Sequence, residues 1–215
     1  MNSRTSQLWA QQNRHPGDRH RLFTAIDAAI PASSVLYPGS YVDIAPSFVF
    51  DDVTYLDTDG RAARFFQDHD GVSAIVAQHR ESQSAAEWRF IHADYTDDLQ
   101  LPRDHFDLLV SLYAGFVSEH CTRYLRPGGR LLFNPSHGAA AMASIDPTYR
   151  LVAVVKTRSG NYTVSTDRLD TYLVPKQPAT ITAETLHESG RGVGYTKPAF
   201  AYLFQHVDAT TPDVG

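Results

Sequence analysis

A chain of 215 residues with 42% apolar and 20% charged residues suits one α/β domain with a buried core and is too short for two. No run approaches the length of a membrane span. The start is polar from Asn2 to Ser6 and has no signal-peptide core, so a cytoplasmic address is expected. The net charge of −5 lacks the basic excess of a polyanion binder, which argues against nucleic acid as a partner.

Residues 1–20 read as a polar arm in which Leu8 and Trp9 are the large apolar anchors. Within it the basic knot Arg14, His15, Arg19, His20 and Arg21, interrupted by Asp18, reads as a solvated helix start. From Asp18, a plausible N-cap, the spacing of Leu22, Phe23, Ile26, Ala29 and Ile30 predicts a helix that Pro31 stops. A strand follows over 34–37, then the loop Tyr37 to Asp43, with room for a short helix at Pro46.

The next strand is Val53 to Leu56, ending at Asp57, and Asp59-Gly60 opens a helix through Phe66. A second helix covers Val72 to His79. Strands are then predicted over 88–92 and 106–112, with a helix over 116–124. Arg126 to Gly129 reads as a helix stop and turn before a strand over 130–134. Beyond it the style changes. Extended runs over 151–155, 162–164 and 171–174, a turn at Ser159-Gly160-Asn161 and a helix over 183–188 lead to a last segment, Ala199 to Val207. Strands alternating with helices predict an α/β class, a single Rossmann-like domain over 21–208. Its sheet is mostly parallel, with helices on both faces and an antiparallel C-terminal edge. Residues 209–215 read as a flexible tail.

Ligands of open α/β sheets bind outside the carboxyl ends of the strands. That rule selects Tyr37, Pro38, Gly39, Ser40 and Asp43 after the first strand, and Asp57 and Thr58 after the second. Asp94 and Tyr95 follow the third strand, and Ser111, Leu112 and Tyr113 the fourth. A glycine at the first position lets the main chain approach a ligand. A carboxylate about eighteen residues further on suits a ribose diol, as a strand–turn–helix–strand unit requires. Cys121 stands alone, which leaves no internal disulfide and no cysteine-built zinc site. The histidines lack ligand spacing, so no metal is expected.

The segment Phe106-Asp107-Leu108-Leu109-Val110-Ser111, with Tyr124-Leu125-Arg126-Pro127-Gly128-Gly129-Arg130-Leu131-Leu132 after it, resembles the fourth and fifth strands of the class I S-adenosylmethionine-dependent methyltransferases. The resemblance spans residues 20 to 155. It implies that Gly39 lies against the methionine part of the cofactor and that Asp57 holds the ribose. By the same resemblance Asp94 bonds the adenine amino group, Tyr95 lies beside the ring, and Ser111 to Tyr113 line the methyl-transfer site. In the first loop, positions where the family carries an acid and two further glycines hold Tyr37, Tyr41 and Asp43.

Methyl transfer from a sulfonium needs alignment and exclusion of water. It needs a base when the acceptor is a hydroxyl or a protonated amine. Tyr113, His137 and His20 are the candidates. The aromatics Tyr195, Phe200, Tyr202 and Phe204 suggest a small, partly apolar acceptor, or simply core. The expectation is a methyltransferase with a small-molecule substrate, working as a monomer or homodimer away from membranes. The alternatives are a non-catalytic module of the same fold and a binder of another adenosine compound.

Overall fold

The computed structural model describes residues 2–80, 82, 84–177 and 180–207. The strands are β1 Ser34–Pro38, β2 Asp52–Asp57, β3 Glu87–His92 and β4 Phe106–Ser111, then β5 Leu125–Phe133, β6 Tyr149–Arg158, β7 Asn161–Ser165 and β8 Ala201–His206. They form one eight-stranded sheet in the order β3-β2-β1-β4-β5-β8-β6-β7. Strands β1 to β5 run parallel. Strand β8 pairs antiparallel with β5 and β6, and β7 pairs antiparallel with β6. The expected α/β, Rossmann-like domain with an antiparallel C-terminal edge is observed.

The helices are α1 Ser3–Gln12, α2 Asp18–Ala29, α3 Gly60–Phe66 and α4 His69–His79, then α5 Val117–Cys121, α6 Ala139–Ile145 and α7 Ala183–Ser189. Side chains alternate across a strand, so β1, buried at every position, feeds both faces. Val35 and Tyr37 join the core under α2, α3 and α4, with Phe23, Phe65 and Val76. Leu36 joins the opposite core under α5 and α6, with Val117, Cys121 and Ala140. Chain order reverses between β1 and β4, which is where such sheets open a crevice.

Several expectations change. Most of the polar arm is helix α1, capped by the Asn2 side chain, which accepts from the Thr5 N–H at 2.9 Å. Trp9 fixes α1 by packing edge-on to Phe48 and His79, at 5.8 and 5.6 Å. Gly17, in left-handed backbone, takes the N-cap of α2, and Asp18 becomes its first residue. Arg126 to Gly129 is a bulge within β5: Phe106 faces Leu125 and Leu108 faces Arg130. Residues 171–174 form no strand, because a short 3-10 turn ends at Thr171 and Leu173 has φ +57°. Both Tyr172 and Leu173 pack on the second core instead. Helix α6 is additional, an alanine-rich segment of good helix formers. The tail expected at 209–215 lies outside the described residues.

The turn of the β6–β7 hairpin, Ser159-Gly160, has φ +52° and +75°, the sign pattern that suits strand twist. The hairpin leans on α2: Arg21 Nε donates to the Gly160 carbonyl at 2.8 Å, and the Tyr162 hydroxyl donates to Asp18.

Candidate functional site

At the reversal, Gly39 has φ +67° and its N–H donates to the Leu56 carbonyl at 2.7 Å, extending the β1–β2 pairing. The chain then doubles back at Tyr41, φ +49°. The Tyr41 N–H donates to Asp57 Oδ2 and the Asp59 N–H to Asp57 Oδ1, each at 2.7 Å. Asp57 therefore pins the first loop to the end of β2. Each of its oxygens retains a lone pair for a further donor. The Arg61 guanidinium lies 5.2 Å from the Tyr41 ring centroid, an exposed cation–π contact that holds the ring to the start of α3.

Gly39, Asp57, Thr58, Asp94 and Tyr95 line one cavity of about 120 Å³, completed by Leu56, Ala93 and Ala114. Asp94 Oδ1 accepts from the Thr96 N–H and hydroxyl, both at 2.9 Å, and these bonds hold its carboxyl below the usual range. It presents an ionised acceptor. Burial pushes the Tyr95 phenol upward, so that ring is neutral. Ala114 lies directly over Gly39.

The other residues selected from the first loop turn away. The Tyr37 hydroxyl donates to Asp43 Oδ2 at 3.2 Å and the Ala45 N–H donates to Asp43 Oδ1 at 3.3 Å. Arg19 Nε stands 3.4 Å from the same carboxylate, whose side chain is only 3% exposed. Burial pushes the Asp43 carboxyl upward while Arg19 and the Ala45 N–H pull it back. Asp43 is thus an internal strut between α2 and the loop. Pro38 and Ser40 are buried, as are Ser111 and Leu112. None of these four lines the cavity. The Ser111 hydroxyl reaches the Gly115 carbonyl at 3.5 Å and shapes the turn after β4.

A second cavity, about 350 Å³, opens on the far side of the same two loops, between the α1–α2 turn, Tyr41, Tyr113 and Phe200. Of the three proton-transfer candidates, Tyr113 borders it, 57% exposed and with φ +71°. His20 packs edge-on to Phe48 at 5.5 Å. His137, exposed with φ +54°, borders neither cavity. Tyr195, Tyr202 and Phe204 are core, leaving Phe200 as the C-terminal aromatic on the wall. Sequence reasoning missed Arg19 and Ala114. Arg19 had a signal: a lone acid in the apolar run Val42 to Ala45 needs a buried partner.

Among the described residues no group of three or more His, Cys, Asp or Glu is placed to hold a metal ion. No described helix is long and apolar enough to cross a membrane.

The sequence matches no protein-family model and no curated protein. Solved structures do align. A Methanococcus maripaludis protein, proposed to be an S-adenosyl-L-methionine-dependent methyltransferase, is 14% identical with a TM-score of 0.46, over 61% of each chain. This chain therefore spans less than two thirds of that one. DhpI, solved as a complex with SAM and HEP, is 18% identical with a TM-score of 0.42, over 95% of this chain and 92% of that one. An O-methyltransferase from Bacillus cereus in complex with SAH is 13% identical with a TM-score of 0.48, over 76% and 89%. The sheet order and the antiparallel edge make this chain a Rossmann-like α/β domain.

Proposed function

We propose that the protein is a cytoplasmic S-adenosylmethionine-dependent methyltransferase acting on a small molecule, with residues 1–20 as an arm over a domain of residues 21–208. The observation that carries this reading is that two cavities are lined by residues of the same two turns. Gly39 and Ala114 line the smaller one, while their near neighbours Tyr41 and Tyr113 line the larger. A cofactor in one and an acceptor in the other would meet at these two turns.

The residues present fit the nucleoside half of the cofactor. Asp57 keeps one lone pair on each oxygen for a ribose diol, Thr58 stands next to it, and Asp94 and Tyr95 offer an acceptor and a ring face on the far side of the same cavity. About 120 Å³ is below the roughly 300 Å³ at which ligand pockets begin. The turn Tyr113 to Gly115, with φ +71° and +82° at its ends, would have to lift from Gly39 to admit the methionine half. Once bound, the cofactor supplies an electrophilic methyl group on a sulfonium. The chain's own task is to hold the acceptor in line and dry, with Tyr113 orienting it from the wall of the larger cavity.

Calorimetric titration with S-adenosylmethionine and S-adenosylhomocysteine tests this. Micromolar affinity for both is expected. No binding by folded protein at millimolar ligand would favour the second reading, a non-catalytic module of this fold. Two observations support that reading: Ala114 covers Gly39, and both Asp57 oxygens already hold main-chain donors. Competition between S-adenosylhomocysteine and adenine nucleotides separates either from a binder of another adenosine compound.

A further inference from the structure

We propose that the 350 Å³ cavity takes a small anionic molecule, a carboxylate or phosphate carried on an organic body, whose charge is met by Arg19 and Arg14. That this molecule is the methyl acceptor rests on the reading above. The anion site does not.

Arg19 lines this cavity. Its side chain is only 24% exposed, and among the described residues its ionic contact runs from Nε to Asp43 at 3.4 Å. Its Cζ lies 6.0 Å from the Tyr113 ring centroid. Among the described residues no acceptor takes a hydrogen bond from this guanidinium. A guanidinium carries five N–H donors; no Arg19 nitrogen is among the described buried atoms left without a partner, so the donors not turned to Asp43 are accessible. Its side chain borders the cavity, where an anion can accept from them in place of water. Arg14 borders the same cavity, exposed and without an ion pair among the described residues.

The acid on this wall does not cancel them. Asp18 borders the cavity, but the Tyr162 hydroxyl donates to its two oxygens at 3.1 and 3.0 Å. Arg21 stands 3.7 Å from the same carboxylate. With Asp43 set against Arg19 and Asp18 against Arg21, Arg14 is the surplus charge. Arginine forks match the planar edge of a carboxylate or two oxygens of a phosphate. Tyr41, Tyr113 and Phe200 complete the site with aromatic surface for the organic body. The volume lies within the range of small-molecule pockets.

The test titrates the full chain with para-hydroxybenzoate, phenyl phosphate and the uncharged para-hydroxybenzamide at low ionic strength. At least one acid should bind about tenfold more tightly than the amide, and the tighter acid identifies the anion the fork suits. That preference should shrink severalfold in Arg14→Gln, an exposed change that leaves the fold intact. It should also shrink in Arg19→Lys, which keeps a cation beside Asp43 but removes the fork. Equal binding of acid and amide, no binding of either acid, or a preference intact in both variants overturns the proposal. Cofactor affinity measured on the same samples separates the two ideas. A chain that prefers the acid but takes up no cofactor keeps the anion site and loses the transferase reading, and the opposite result does the reverse.

Discussion

Ala114 sits on Gly39 so closely that a β-carbon added at position 39 would lie 2.4 Å from the Ala114 β-carbon. With φ at +67°, position 39 also strains any larger residue. Gly39→Ala should cost about 1–3 kcal/mol and abolish cofactor uptake. Ala114→Gly should act in the opposite direction on binding, raising cofactor affinity severalfold by freeing the contact. Urea denaturation and calorimetry on the two variants check this. Weaker binding in Ala114→Gly would mean that the β4 turn forms part of the site rather than its cover.

Asp57 carries two tasks, and substitutions should divide them. In Asp57→Ala the Tyr41 and Asp59 N–H groups lose their partners, at a cost of about 1–2 kcal/mol for this half-exposed position. Asp57→Asn keeps one acceptor oxygen and should lose less stability. Both should lose most cofactor affinity, because neither presents two oxygens to a diol. Retained affinity in either variant would remove Asp57 from the nucleoside site.

Asp107 should dominate acid sensitivity at the opposite end of the sheet. Burial raises its carboxyl pKa, but the Ser33 and Ser34 N–H groups and Arg126 outweigh burial and hold it below the ordinary 3.8. A folded pKa below the unfolded one means that its stabilisation is complete above the ordinary value. It is lost as pH falls through the lowered one. Asp107→Asn should be less stable at neutral pH and flatter in its acid limb. Asp43 runs the other way, since its raised carboxyl favours the folded state as pH falls. Urea midpoints from neutral pH down to about 3 measure both, and an unchanged acid slope in Asp107→Asn would refute the assignment.

Tyr162→Phe removes the hydroxyl that donates to Asp18. The pair is part-exposed, so the loss should be about 1 kcal/mol. Amide exchange should quicken in α1 and α2 while the central strands keep their protection. Exchange that rose equally across the sheet would show that the contact supports the whole fold rather than the cavity wall.

The parallel half of the sheet was legible because its strands are short apolar runs such as Val35 to Tyr37 and Phe106 to Ser111, buried on both faces. That Asp57, Asp94 and Tyr95 gather around one cavity was legible for the same reason: strand ends fix where those residues emerge. The first loop was not. Its inward turn depends on Asp43 meeting Arg19 of α2, a pairing that no local pattern announces. Nor did local pattern reveal α1, which needs the surface of Phe48 and His79 to hold Trp9. The run 171–174 looked extended by composition, yet Tyr172 and Leu173 pack on the second core while Val174 stays exposed.

Strand β8 is the last described strand in the chain and lies inside the sheet, between β5 and β6. Order of assembly follows from that placement. Until residues 201–206 are seated, β6 has no neighbour linking it to β5, and the β6–β7 hairpin has no fixed position from which Tyr162 can reach Asp18. Closing so long a loop is slow because its entropy is lost before the contacts form. During synthesis the side of the larger cavity formed by Phe200, with the hairpin that props Asp18, should therefore form last, after the parallel half has settled.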